Sequence, residues 1–177
     1  MKVILSSVEI EVIQGNIAAQ QGITAVVNAA NARLLPGGGV AGAIHNAAGP
    51  GLAEECKALA PISPGEAVIS GGHNLPNKYV VHCLGPIYGI NEPAAELLAD
   101  CYRNALKLAE ENKIDSIAFP AISTGIFGYP LEEAAKIAFA AIAELASGLN
   151  FVNIIRFVLF DRISCEIHEK VLQNLIE

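Results

Sequence analysis

The stretch SIAFPAISTGIFGYPLEEAAKIAFAAIAELASGLNFVNIIRFVLF, Ser116 to Phe160, decides the fold class. It reads as a short apolar strand from Ser116 to Ala121, a glycine-bearing loop, a helix from Leu131 and a second strand from Asn153 to Phe160. A run such as IIRFVLF lacks polar alternation, so both of its faces must be covered. Helices on both sides of a mostly parallel sheet supply that cover, and the expected architecture is an α/β class, three-layer α/β/α sandwich. Outward from this stretch, Lys2–Leu5, Glu9–Ile13, Thr24–Asn28, Glu66–Ile69 and Tyr79–Cys83 have strand character. Val40–Ala48, Leu52–Leu59 and Ser164–Ile176 have helical character. The segment opening at Pro93 sets Ala94, Leu97, Leu98, Cys101, Ala105 and Leu108 on one helical stripe.

With 177 residues and no linker, repeat or low-complexity segment, the chain is expected to form one domain over residues 1–177. The hydrophobic fraction is 53%, yet no apolar run is long enough for a membrane span. The start MKVILSSVEIEVIQG alternates like strands and lacks the form of a signal peptide, so a cytoplasmic protein is expected. The net charge is -7 and the 11 Lys and Arg are scattered, which leaves no basic stripe for a nucleic acid. Cys56, Cys83, Cys101 and Cys165 lie far apart and read as buried free thiols. His45, His73, His82 and His168 have no metal-ligand spacing, and neither a metal nor a cofactor is expected.

Two loops carry the chemistry. Gly37–Gly39 precede the helix at Val40, and STGIFG, Ser123 to Gly128, lies between a strand and a helix. Such junctions present unpaired N–H groups to a phosphate. Two of them suit a pyrophosphate, and without a lysine in either loop the backbone must do most of the holding. Gly37, Gly39 and Gly42 satisfy G-x-G-x-x-G, but residues 29–36 separate them from the preceding strand and no acidic residue ends the next one. A nicotinamide dehydrogenase is thereby disfavoured, and a P-loop enzyme is excluded because no G-K-[ST] follows.

VIQGNI, VVNAAN, GGGVAGAIHNAAG, VVHCLGP and IAFPAISTGIFGYP together resemble the macro domain family in order and spacing, from about Val12 to Phe160. The resemblance implies a mixed central sheet flanked by helices, with ADP-ribose bound at the carboxyl ends of the strands. It implies that Asn31 hydrogen-bonds the distal ribose and that Gly38, Gly39 and Val40 cradle one phosphate. Ser123, Thr124, Gly125 and Ile126 would supply amides and a hydroxyl to the other side. Phe127 would line the distal ribose, Phe160 would pack on adenine, and Asn16 and Ile17 would belong to the same ligand-binding set.

Two positions depart from the family pattern. Asn16 stands where an aspartate usually accepts the adenine amine, keeping a carbonyl acceptor without the charge. Ala41 stands where many family hydrolases have an aspartate that orients or activates water. His45 and His82 invite a general-base role, but His82 reads better as a hydrogen-bonded core residue, and Glu132–Glu133 suit a helix N-terminus without further purpose. The expected function is hydrolysis of an ester at the distal ribose, on a mono-ADP-ribosylated carboxylate side chain of a protein or on O-acetyl-ADP-ribose. Asn31 would be the catalytic residue. The alternative is a reader that binds ADP-ribose without turnover.

Overall fold

The computed structural model describes all 177 residues. Seven strands form one sheet: β1 (Lys2–Leu5), β2 (Val8–Gln14), β3 (Ala25–Ala29), β4 (Ala67–Gly71), β5 (Tyr79–Cys83), β6 (Ser116–Phe119) and β7 (Ile154–Leu159). Five helices accompany it: α1 (Gly39–Ala48), α2 (Pro50–Cys56), α3 (Ala94–Glu111), α4 (Leu131–Ala146) and α5 (Arg162–Ile176). No helix is long and apolar enough to cross a membrane.

The strand order is β1-β2-β7-β6-β3-β5-β4. The five inner strands are parallel, while β1 and β4 pair antiparallel with β2 and β5 at the two edges. The sheet is therefore mixed, with a parallel centre covered on both faces. Helices α3, α4 and α5 pack on one face over the larger core, and α1 and α2 pack on the other over the smaller one.

Phe157 of β7 lies at the centre of the larger core, its ring 4.7 Å from that of Phe139 and 5.8 Å from that of Phe119. The stripe of α3 faces this cluster through Ala94, Leu98, Cys101 and Ala105, all buried, whereas Leu97 and Leu108 lie at its margin. The one charge in IIRFVLF is also accounted for. Arg156 Nε donates to the buried carboxylate of Glu11 on the neighbouring strand, and Lys2 of the edge strand pairs with the same carboxylate. These partners hold the Glu11 carboxyl below its usual range against the upward push of burial.

All four cysteines are buried and free. β6 stops at Phe119 rather than running on to Ala121, because Pro120 has no N–H to continue the ladder. Phe157→Ala should destabilise the protein by about 3–5 kcal/mol through the cavity it leaves. Urea unfolding checks this, with Phe157→Leu losing distinctly less.

Candidate functional site

Parallel strands all end on one side of the sheet, and there β2, β6 and β7 open into a cleft of about 960 Å³ closed by the start of α1. A volume of that size suits a dinucleotide-sized ligand. A depression of about 210 Å³ between α3 and the end of α4 lies away from both glycine loops.

The glycine run forms the near wall. Gly38 caps α1 without any side-chain hydrogen bond, and the N–H groups of Gly38, Gly39, Val40 and Ala41 have no protein partner. Gly39 holds φ at +55°, a conformation that favours glycine. Gly42 serves a different need: a β-carbon there would collide with the carbonyl oxygen of Gly37, so its absence lets the loop fold back onto its own helix. The positive end of α1 thus faces the cleft with four open donors.

The far wall is STGIFG. It ends three residues before α4, whose N-cap is Pro130, so the loop is a free-standing turn and not the first turn of a helix. The N–H groups of Gly125, Ile126 and Phe127 have no protein partner, which makes a nest of successive donors. Its hydroxyls point away from the cleft, that of Ser123 without a hydrogen-bond partner. Ser123 adopts φ +66°, and its buried hydroxyl faces inward against Gly85. Thr124 Oγ1 donates to the Ala121 carbonyl at 2.8 Å. What this loop offers the cleft is backbone.

Of the residues singled out in the sequence, Asn16, Ile17, Gly39, Val40, Thr124, Gly125 and Phe160 come together as cleft lining. Phe160 is 90% exposed at the end of β7, so its ring belongs to the cleft and not to the core. Gly38, Ser123, Ile126 and Phe127 flank the lining through their loops, with Ile126 almost wholly exposed. Asn31 is not among the residues that line the cleft. Its amide is clamped to the backbone of Leu35, Nδ2 donating to the carbonyl at 2.8 Å and Oδ1 accepting the N–H at 3.0 Å. This clamp shapes the segment that leads into the glycines, and Gly37 packs against Asn31 Nδ2.

Ala43, Pro120, Ala121, Val158, Asp161 and Ser164 line the cleft without having been singled out. A signal for the last two was present in DRIS, residues 161–164, a helix-capping pattern. Asp161 accepts both the N–H and the hydroxyl of Ser164, which lowers its carboxyl pKa. Asp161 is the only titratable side chain in the lining.

Below α1 runs a buried polar seam. Asn28, three residues before Asn31, donates Nδ2 to His82 Nδ1 at 3.1 Å, and His82 Nε2 meets Ser70 Oγ at 2.8 Å with Cys56 Sγ at 3.6 Å. The assignment is self-consistent with the proton on Nε2, the Ser70 hydroxyl accepting from it and donating to the Gly71 carbonyl. His82 is thus a hydrogen-bonded core histidine. His45, on α1, is buried with neither ring nitrogen bonded, and it does not line the cleft. Burial pushes the His82 pKa down to about 3, with a smaller push from His45, whose own pKa burial also lowers. Burial likewise raises the Cys56 thiol to about 11, so it is inert at neutral pH.

The sequence model of the family described as Macro domain matches residues 27–138. The chain is 44% identical over 173 residues to the O-acetyl-ADP-ribose deacetylase of Klebsiella pneumoniae, spanning 95% of this chain and 98% of that one. It is 49% identical over 155 residues to the human ADP-ribose glycohydrolase MACROD2, spanning 86% of this chain and 36% of that longer protein. Among solved structures it is similar to the Oceanobacillus iheyensis macrodomain with ADP, at a TM-score of 0.95 and 40% identity, covering 99% of this chain and 96% of that one. A glycine-to-valine variant of that macrodomain has been solved with ADPR.

The seam makes stability pH-dependent. An unfolded histidine takes up its proton near pH 6.5, and folded His82 refuses it until about pH 3. Within that window the unfolded state binds more protons, so stability falls as the pH falls, by about 1.4 kcal/mol per pH unit for His82 alone. Urea midpoints at pH 7 and pH 5 should therefore fall more steeply in the wild type than in His82→Asn.

Proposed function

Because this chain belongs to the macro domain family, we propose that it binds ADP-ribose and hydrolyses ADP-ribose esters, either O-acetyl-ADP-ribose or a mono-ADP-ribosylated carboxylate side chain of a protein. The observation that carries this reading is the pair of facing donor arrays, Gly38–Ala41 and Gly125–Phe127, with no cation between them. Seven unpaired amides can hold a pyrophosphate by hydrogen bonds and helix dipole. Phe160 then lies under the base, and Asn31 lies at the other end, where the distal ribose reaches the segment before the glycines. The amide of Asn31 keeps a second donor hydrogen and a second lone pair beyond its clamp to Leu35, enough to hold a ribose hydroxyl.

Hydrolysis requires a water to add to the ester carbonyl, a proton to leave that water and a proton to reach the departing ribose oxygen. The cleft lining offers no base other than Asp161. Ala41 offers a buried methyl, and Asp161 sits at the Phe160 end, engaged in capping α5. The proton therefore passes to a phosphate oxygen of the ligand, held beside the reacting ester, and from there to the ribose oxygen. That same absence of a base favours a second reading, a reader that binds without turnover.

Phe160→Ala should weaken ADP-ribose binding by roughly 5- to 160-fold and leave ribose 5-phosphate unchanged, since base stacking contributes about 1–3 kcal/mol and an exposed ring leaves no cavity. Calorimetry with both ligands decides it. Asn31→Ala should slow the chemical step on the order of 100-fold by misplacing the reacting ribose. Ala41→Asp should speed that step by roughly 100-fold as a general base while loosening binding through repulsion of the pyrophosphate. Single-turnover kinetics on an ester-linked substrate separates the two effects. Normal chemistry in Asn31→Ala would remove that residue from the site, and no product from either the wild type or Ala41→Asp would leave the reader.

A further inference from the structure

The wall of the cleft beside Phe160 is a short piece of backbone. Gln14 of β2 pairs in register with Leu159 of β7, and the Gly15 N–H donates to the Leu159 carbonyl at 2.9 Å, which sets Asn16 and Ile17 next to Phe160. Both line the cleft. They open a single turn of 3-10 helix, Ile17–Ala19, which Asn16 caps with Oδ1 on the Ala18 N–H at 2.9 Å. Hydrogen-bond geometry within so short a 3-10 turn is poor, so what holds it from outside decides where the wall stands. On one side, Ile17 and Ala18 are fixed by burial in the smaller core.

The other side is held by Gln20. Its side chain is buried, and its Nε2 donates to the Asn16 carbonyl at 2.7 Å. Its Oε1 accepts from Arg156 Nη1 at 3.2 Å. A guanidinium has only donors, so the amide fits one way round, oxygen to Arg156 and nitrogen to the carbonyl. The main chain of Gln20 is anchored too, its own carbonyl accepting from the buried side chain of Asn77 at 2.8 Å. A line of contacts therefore runs from Glu11 on β2 through Arg156 on β7 and Gln20 to the cleft wall.

This line accounts for a charge in the middle of the sheet. An ion pair taken out of water loses hydration that its attraction only partly returns, so Arg156 with Glu11 is a weak device for stability. What it adds is a fixed donor for Gln20. We infer that Gln20 is a positioning residue for the ligand: by gripping the Asn16 carbonyl it sets the gap between the Asn16–Ile17 wall and the Phe160 ring, and so how closely the base is clasped. The inference rests on the proposed ADP-ribose site, and Gln20 itself does not line the cleft. The two donor arrays hang on other loops, so a looser wall affects the base and not the pyrophosphate.

The test titrates ADP-ribose calorimetrically into the wild type, Gln20→Met and Gln20→Glu, and into the same substitutions combined with Phe160→Ala, with melting temperatures measured alongside. Methionine keeps the length of the side chain without either hydrogen bond, and glutamate keeps the acceptor for Arg156 while setting a second acceptor against the Asn16 carbonyl. Each is expected to weaken binding roughly five- to tenfold, the contribution of one hydrogen bond. Without the Phe160 ring the wall has nothing to press the base against, so in the Phe160→Ala background the same replacements are expected to weaken it less than about twofold. A merely structural role would lower the melting temperature and weaken binding by the same factor in both backgrounds. That equal weakening, a change below about twofold in both single variants, or failure of both to fold overturns the inference and leaves the ADP-ribose site standing. Failure of the wild type to bind ADP-ribose at millimolar concentration overturns the site and the inference together.

Discussion

The structure turns on backbone N–H groups that the fold leaves unpaired at the carboxyl ends of its parallel strands. Buried amides without partners are costly, so a fold that leaves seven of them around one cleft must leave them where water or a ligand can reach. The parallel centre of the sheet makes this arrangement available. It delivers the segment after β3 and the segment after β6 to the same side, and these two strands are neighbours. A cation in either loop would have made the backbone arrangement less demanding; without one, the direction of each N–H matters. This explains why Gly42 has no side chain and why Ser123 accepts a left-handed backbone.

The cleft is also tied to the interior. Asn28 reaches from the strand that leads to Asn31 into a seam with His82 and Ser70 on two other strands, beneath the helix that the glycines begin. Full satisfaction of His82 makes it a fixed post under that helix. His45 shares the seam's surroundings without a bond of its own, a local cost the fold carries next to its glycine loop. Polar residues in this seam therefore serve the cleft by holding its floor and do not take part in its chemistry.

Much of this was legible in the sequence, and the reasons differ by element. The apolar run of β7 announced two covered faces, and each of the five helices and seven strands appeared near its final place because period and punctuation agree there. The cleft was legible to the extent that glycines mark backbone chemistry. The inward turn of the Ser123 hydroxyl was not, because it follows from contact with Gly85, thirty-eight residues earlier in the chain and supplied by a different strand's end. Nor was the hold of Gln20 on the Asn16 carbonyl. That depends on a short turn, a local matter, combined with an arginine brought from β7, 136 residues further along the chain.

Phe160 in the cleft and Ile126 on the loop that flanks it stand almost fully in water. They are the two most exposed large apolar side chains of the protein. Their exposure is apolar surface held in reserve, wetted in the free protein and dried when a ligand fills the space between them. Occupancy should therefore register in the heat capacity of the system, as a negative change that the hydrogen bonds to the pyrophosphate would not by themselves produce.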